Sequence, residues 1–267
     1  MQATVEVQAI NSSALEAIEA GRPDHRMPAG RLLISLATYN ECDNVVPLAE
    51  AIQAVAPHAD LLVIDDGSPD GTGKLVENLS KKDPRVRLMQ RGSKQGLGTA
   101  TLAAMRYAIE HDYDYLLNLD ADFSHPPRYI SALLDGMKDC DVMIGSRYVP
   151  GGGTENWPLS RRMISRSVNG FVRTILRMPV RDASGAFRCY RVDLLKKTPL
   201  ERVRSRGYSF QQEVLFRCHR AGARIGEHPI IFENRKAGMS KVNLKESLRS
   251  ITMLTWLGLR AAIGLEG

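Results

Sequence analysis

The chain has 267 residues, of which 43% are hydrophobic and 25% charged. At roughly 150 residues per domain that allows one large domain or two small ones, and it excludes a disordered, collagen-like or membrane-bundle chain. The net charge of +6 is uneven: residues 1–150 carry 14 Lys plus Arg against 21 Asp plus Glu, whereas residues 151–267 carry 22 against 9. An acidic first part suits cation binding, and a basic second part suits phosphate, nucleic acid or an anionic membrane.

Residues 1–30 read as an N-terminal arm. Glu6, Glu16 and Glu19 interrupt any apolar run, so no secretory leader is expected, and Ser13 with Glu16 can cap a short helix. From Arg31 to Tyr148, short apolar runs predict buried strands at Leu32–Ala37, Leu61–Ile64, Val86–Met89, Tyr115–Leu119 and Val142–Ile144. The stretches between them predict helices at Asn44–Ala56, Gly71–Lys82, Gly98–His111 and Pro127–Lys138. Strand alternating with helix predicts an α/β fold with a parallel sheet and right-handed crossovers.

The pattern breaks at Pro150-Gly151-Gly152-Gly153, and an irregular basic region follows, expected to complete the same domain over 31–241. Residues 242–267 read as an amphipathic helix with a stripe of Leu244, Leu248, Ile251, Leu254 or Thr255 and Leu259, packing on the body of the protein or touching a membrane surface. The uncharged stretch Ser250–Leu259 is about half of the ~20 residues needed to span a bilayer. Cys42, Cys140, Cys189 and Cys218 form no C-x-x-C pair, which argues against zinc or a disulfide framework and for a reducing cytosol.

Two acidic motifs fall at predicted strand ends, where ligands sit in open parallel sheets: Asp65-Asp66-Gly67-Ser68 and Asp120-Ala121-Asp122-Phe123-Ser124. With strand order 3-2-1-4 they flank the first strand and face one crevice; the structural alternative is that Asp65 or Asp120 caps a helix or closes a turn. Asp120-x-Asp122 offers hard oxygen ligands for Mg2+ or Mn2+, with substrate phosphates completing the shell, which implies a diphosphate-bearing substrate. Neither G-x-G-x-x-G nor G-x-x-x-x-G-K-[ST] is present, so dehydrogenase and P-loop readings fall away.

Thr38-Tyr39-Asn40-Glu41, Asp65 to Thr72, Asp120-Ala121-Asp122 and Gly145-Ser146-Arg147-Tyr148 occur in order. With Glu155-Asn156-Trp157-Pro158, Asp182-x-x-Ser184-Gly185, Gly207 to Gln211 and Arg235-x-x-Gly238-x-Ser240-Lys241, the set resembles family 2, GT-A type glycosyltransferases, and within them the dolichol-phosphate or polyprenyl-phosphate mannosyltransferases. The resemblance implies a Rossmann-like, mostly parallel sheet flanked by helices and a GDP-mannose site. Tyr39, Glu41, Val63 and Asp65 would hold the guanosine part, beside Ala37, which stands where the family usually has proline. Asp120, Ala121 and Asp122 would meet diphosphate and metal, and Arg147, Arg235 and Lys241 phosphate groups; Asp120, Asp122, Arg147 and Arg235 form the implied catalytic set. Arg147, Arg161 and Ser165 would grip the acceptor phosphate. Ser124 stands where the family often has a glutamine metal ligand, and its shorter side chain leaves room for water or a weaker metal.

A phosphate monoester has its second pKa near ~6 and is already a nucleophile at pH 7, so the expected chemistry needs neutralised charge rather than a base. One in-line displacement would turn an α-linked donor into a β-mannosyl phosphoryl lipid. The expected partners are a nucleotide sugar, a polyprenyl phosphate and a membrane surface or membrane-anchoring protein at the cytosolic face. The same site with UDP-glucose or another nucleotide sugar is the nearest alternative. A nucleic-acid module is a remote one, since aromatics make up only 6% and no binding motif is present. Trp157 and Phe210 are equally readable as core aromatics, Cys189, Cys218 and the histidines as structural, and Arg161, Arg162, Arg166 and Arg173 as a solvated helix face.

Overall fold

The computed structural model describes residues 30–205, 207, 209–233 and 244–263. Five strands match the predicted apolar runs within a residue or two: β1 (Leu32–Thr38), β2 (Asp60–Asp65), β3 (Val86–Gln90), β4 (Tyr115–Asp120) and β5 (Val142–Ser146). The helices α1 (Val45–Val55), α2 (Thr72–Lys82), α3 (Leu97–Glu110) and α4 (Ile130–Gly136) connect them, the last after a 3-10 turn at Pro127–Tyr129. Period-two alternation explains the two cores. Leu33 of β1 points into one with Ala104 of α3, while Ile34 and Leu36 point into the other with Leu48 of α1.

The region after Tyr148 is not irregular. It contains β6 (Gly153–Thr154), α5 (Leu159–Ile175), β7 (Arg188–Arg191), α6 (Val192–Lys197), α7 (Phe210–Arg220), β8 (Ile225–Pro229) and β9 (Ile231–Phe232). The main sheet has seven strands in the order β3-β2-β1-β4-β7-β5-β8, so the expected 3-2-1-4 order holds. It is mixed rather than wholly parallel, because β7 runs antiparallel between β4 and β5. Hydropathy hides β7: two of its four residues are arginines, yet Arg188 is wholly buried. β6 and β9 form a separate parallel pair.

The C-terminal helix α8 (Leu244–Ala262) exists, but its buried face differs from the expected stripe. Leu254 and Leu257 are buried, whereas Ile251 and Leu259 are exposed. The face is set by close approach to α5, where a Cβ at Gly258 would lie 2.6 Å from Ile175. Leu244, Leu248 and the Ser13–Glu16 cap lie outside the described side chains. No helix among the described residues is long and apolar enough to cross a membrane.

Candidate active site

The loops that leave β1 and β4 meet at one end of the sheet, since β1 pairs in parallel with both β2 and β4. Each contains a non-glycine residue in the left-handed region, Asn40 at φ 61° and Phe123 at φ 62°. For a bulky residue this backbone costs on the order of 1–3 kcal/mol and clusters at functional sites. A third such residue, Asn156 at φ 52°, precedes Trp157 in the loop before α5.

Within the β4 loop, Asp120 is half-buried at the strand end and Asp122 is buried. The Ser124 hydroxyl donates to Asp122 Oδ1 at 2.5 Å and the Ser124 amide to the same atom at 3.0 Å, so Ser124 orients the Asp122 carboxylate. The Asp120 amide donates to His125 Nδ1 at 3.1 Å, which places the imidazole proton of the neutral ring on Nε2. Burial drives the His125 imidazole below its ordinary value despite the opposing charges of Asp120 and Asp122. Its ring packs 5.2 Å from both Phe187 and Phe232. Phe232 in turn meets Trp157 edge-on at 5.3 Å, so an aromatic wall runs from the acidic loop to the start of α5.

The arginines stand along that wall. Arg147 lies over the rings of Tyr148, Trp157 and Phe232 at 5.3, 5.6 and 5.6 Å, and the Arg161 guanidinium stacks on Trp157 at 3.8 Å. Tyr148 donates its hydroxyl to Ser165 Oγ at 2.6 Å. The sheet topology and this wall therefore bring Asp120, Asp122, Arg147, Arg161 and Ser165 into one neighbourhood. Arg147 is also half of a buried ion pair: Nε and Nη2 each donate to Asp182 at 2.7 Å, and Nη2 reaches Ser184 Oγ at 2.8 Å. Burial alone would raise the Asp182 carboxyl, but the Arg147 guanidinium holds it below the usual carboxylate range. The turn is tight here, since a Cβ on Gly152 would lie 2.5 Å from the Ser146 carbonyl oxygen.

The first acidic motif behaves differently, and its carboxylates close turns. Asp65 is wholly buried and accepts from Thr38 Oγ1 at 3.1 Å and from the Ser68 amide and hydroxyl at 3.0 and 2.5 Å. Asp66 accepts from Arg91 Nε at 2.6 Å and from the amides of Gln95 and Gly96 at 3.0 and 2.9 Å. Val63 is wholly buried in the core. The structure thus does not bring the Val63 or Asp65 side chains to the crevice surface, because one fills the core and the other saturates the turn after β2. Tyr39 is half-buried under Lys94, whose Nζ lies 3.9 Å over its ring, and Glu41 accepts from Asn44 Nδ2 at 2.8 Å. Ala37 and Asp120 line one cleft, and Ala121 is buried beside them. Arg235 and Lys241 lie outside the described residues.

Residues 34–200 match the family described as Glycosyl transferase family 2. The chain belongs to this family. It is a glycosyltransferase with a GT-A-like fold, in which a mostly parallel central sheet is flanked by helices. It is 39% identical to the undecaprenyl-phosphate mannosyltransferase of Micrococcus luteus over 88% of this chain and 100% of that one. It is 40% identical to the polyprenol monophosphomannose synthase of Mycolicibacterium smegmatis over 83% and 85%. A mannosyltransferase from Pyrobaculum calidifontis, solved in complex with GDP-Man and Mn2+, superposes with a TM-score of 0.57 at 16% identity, covering 91% of this chain and 66% of that one.

In this glycosyltransferase, no group of three or more His, Cys, Asp or Glu side chains among the described residues could hold a metal ion. Asp120, half-buried, and Asp122, buried, stand two residues apart in one loop, and Mg2+ or Mn2+ is commonly bound through one or two carboxylates with substrate phosphates completing the shell. Sequence reasoning missed three contributors. Asp182 anchors Arg147, His125 supports the Asp120 backbone, and Gln211 lines the cleft with Ala37 and Asp120. Asp182 and Gln211 stand inside the motif strings, but only the fold shows what they touch.

Proposed function

We propose that this glycosyltransferase transfers mannose from GDP-mannose to a polyprenyl phosphate, with a divalent metal at Asp120 and Asp122 and inversion at the anomeric carbon. The names of the two relatives support the acceptor and the sugar, and the GDP-Man and Mn2+ complex of the structural neighbour supports the donor and the metal. The observation that carries the reading is how four carboxylates around the site are spent. Asp182 is paired with Arg147, and Glu213, at the start of α7, with Arg217 at 2.7 Å and with the amides of Arg204 and Ser205. Glu227 accepts the amides of Arg181 and Asp182, and Glu233 is paired with Arg128 at 2.9 Å. None is placed as a general base for a sugar hydroxyl, and a phosphate acceptor needs none because it is already anionic.

When bound, the metal supplies Lewis-acid stabilisation to the leaving diphosphate. Ser124 holds Asp122 in one orientation for that task. Arg161 presents a planar guanidinium beside Ser165, suited to paired hydrogen bonds with phosphate oxygens. Arg147, fixed by Asp182, adds a donor whose position does not depend on solvent. Arg161, together with the metal, reduces the repulsion between two anions that must approach each other, while Arg147, whose charge Asp182 balances, contributes N–H donors.

The lipid acceptor calls for a membrane surface, and α5 supplies a fitting face. Its 17 residues include four arginines and no carboxylate, and Leu159, Met163 and Ile164 are 72, 61 and 65% exposed. Apolar side chains flanked by arginines suit peripheral docking on an anionic leaflet. Incubation with Mn2+, a short polyprenyl phosphate and each labelled nucleotide sugar tests the reaction. Labelled lipid is expected from GDP-mannose, and labelled lipid from UDP-glucose alone would overturn the donor assignment.

A further inference from the structure

The cleft beneath Asp120 holds a hydrogen-bond donor and an acceptor that the protein itself does not pair. Asn118 lies one pleat below Asp120 on β4 and is 5% exposed. The Ser35 hydroxyl on neighbouring β1 donates to its Oδ1, and its Nδ2 is buried with no partner. Gln211, in the first turn of α7, is 6% exposed, and its Oε1 is likewise buried with no partner. Both residues line the same cleft as Ala37 and Asp120. The backbones that carry them are tied together: Arg188, the β7 partner of Asn118 in register, donates from Nη1 to the Gln211 carbonyl at 2.7 Å.

A buried polar atom without a partner costs about 1–3 kcal/mol. A donor and an acceptor left open in one cleft point to a group from outside the protein that could meet both. The space within the cleft that a water-sized group can occupy is about 10 Å3. That is about the volume needed for one water-sized group and far too small for a sugar ring. A hydroxyl is such a group, since its oxygen accepts from an amide N–H while its proton is donated to a carbonyl oxygen.

We propose that Asn118 and Gln211 form a slot that reads one hydroxyl of the hexosyl group carried by the nucleotide donor, which makes them specificity-determining residues for the sugar. The inference rests on the reading of this crevice as the donor site and deepens it. On that reading the nucleotide and the metal would meet the loops above, whereas the slot would meet only the sugar. Its contribution should therefore be visible with a sugar nucleotide and invisible with the nucleotide alone.

Calorimetry in the presence of Mn2+ tests this with the wild-type, Gln211→Met and Asn118→Leu proteins, using GDP, GDP-mannose and the monodeoxy forms of GDP-mannose as ligands. Both variants should bind GDP as the wild type does and bind GDP-mannose about 5- to 150-fold more weakly, the affinity equivalent of one lost buried hydrogen-bond group. One deoxy form should be discriminated by the wild type and by neither variant. Unchanged GDP-mannose affinity in the variants would overturn the proposal. So would equal losses for GDP and GDP-mannose, the result expected if the slot holds only a structural water. Should Asn118→Leu fail to fold, Gln211→Met decides alone. The readout needs no acceptor, so failure to form mannosyl phosphoryl lipid would overturn the proposed reaction and leave the slot result standing. If the wild type binds UDP-glucose and not GDP-mannose, the donor assignment fails, and the same series in deoxyglucose nucleotides decides the slot.

Discussion

Replacing Asp182 by asparagine probes the device that holds Arg147 in place. Asp182 is wholly buried and accepts from the Arg147 amide, Nε and Nη2 at 3.0, 2.7 and 2.7 Å, and from the amide of Gly185 at 3.0 Å. Asparagine keeps the shape but sets an NH2 group against these donors and leaves the guanidinium without its counter-charge. Breaking a buried pair from one side costs about 3–5 kcal/mol, a large share of the roughly 5–15 kcal/mol that stabilises a typical domain. Urea denaturation followed by circular dichroism should show that loss, with transferase activity falling alongside it. The double replacement Asp182→Asn with Arg147→Met should recover part of that loss, because it no longer leaves a guanidinium without its counter-charge and the asparagine oxygen can still accept a backbone amide, while activity stays low. The pH dependence follows from the sign of the shift. The Asp182 carboxyl is depressed in the folded protein, so its contribution is complete above the unfolded value of ~3.9 and is lost as pH falls through the folded value. The acid limb of the wild-type stability curve should therefore be steeper than that of Asp182→Asn. A loss below about 1 kcal/mol, the size of an ordinary hydrogen bond, would refute the assignment of this pair as the anchor of the Arg147 turn.

Asp122→Ala should abolish metal-stimulated transfer while the circular dichroism spectrum stays that of the wild type; normal transfer by this variant would remove the DxD assignment. Ser124→Ala removes the hydroxyl bond to Asp122 Oδ1, and a loss of about 1 kcal/mol predicts a roughly fivefold higher half-saturating Mn2+ concentration with little change in melting temperature. Leu159→Glu with Met163→Glu changes two exposed positions on α5. It should reduce flotation with anionic vesicles several-fold and leave GDP binding unaltered, and undiminished flotation would take α5 out of the docking surface.

Much of the sheet was legible because β1, β2 and β4 are buried on both faces and spell nearly continuous apolar runs. β7 was not, because Arg188 is buried and turns its two terminal guanidinium nitrogens to the backbone carbonyls of Gln211 and Ala183 rather than to solvent. No hydropathy pattern signals a buried arginine of that kind. The two acidic motifs look alike in sequence and differ in structure: Asp65 and Asp66 saturate turns, whereas Asp120 stays half-buried at its strand end. Which case applies depends on the hydrogen-bond donors nearby, such as Ser68 and Gly96, and not on the carboxylates themselves. The face of α8 depended on where Gly258 could approach Ile175, a contact between residues far apart in the chain.

The charge division of the chain separates two kinds of arginine, and salt should distinguish them. Arg147 is neutralised by a buried carboxylate and is shielded from mobile ions. The arginines of α5 belong to a helix without a single carboxylate, and Arg162, Arg166 and Arg173 are exposed. Exposed charges are screened over a Debye length of about 10 Å at 0.1 M salt and about 3 Å at 1 M, whereas buried pairs are screened far less. Raising the salt concentration should therefore increase KM for vesicle-borne polyprenyl phosphate steeply. The stability difference between wild type and Asp182→Asn should change little over the same range. Capture of a short, water-soluble polyprenyl phosphate, which needs the site but not the docking face, should respond less than capture of the vesicle-borne lipid. Equal salt dependence for the two acceptors would mean that the α5 arginines act at the acceptor phosphate itself rather than at the membrane surface.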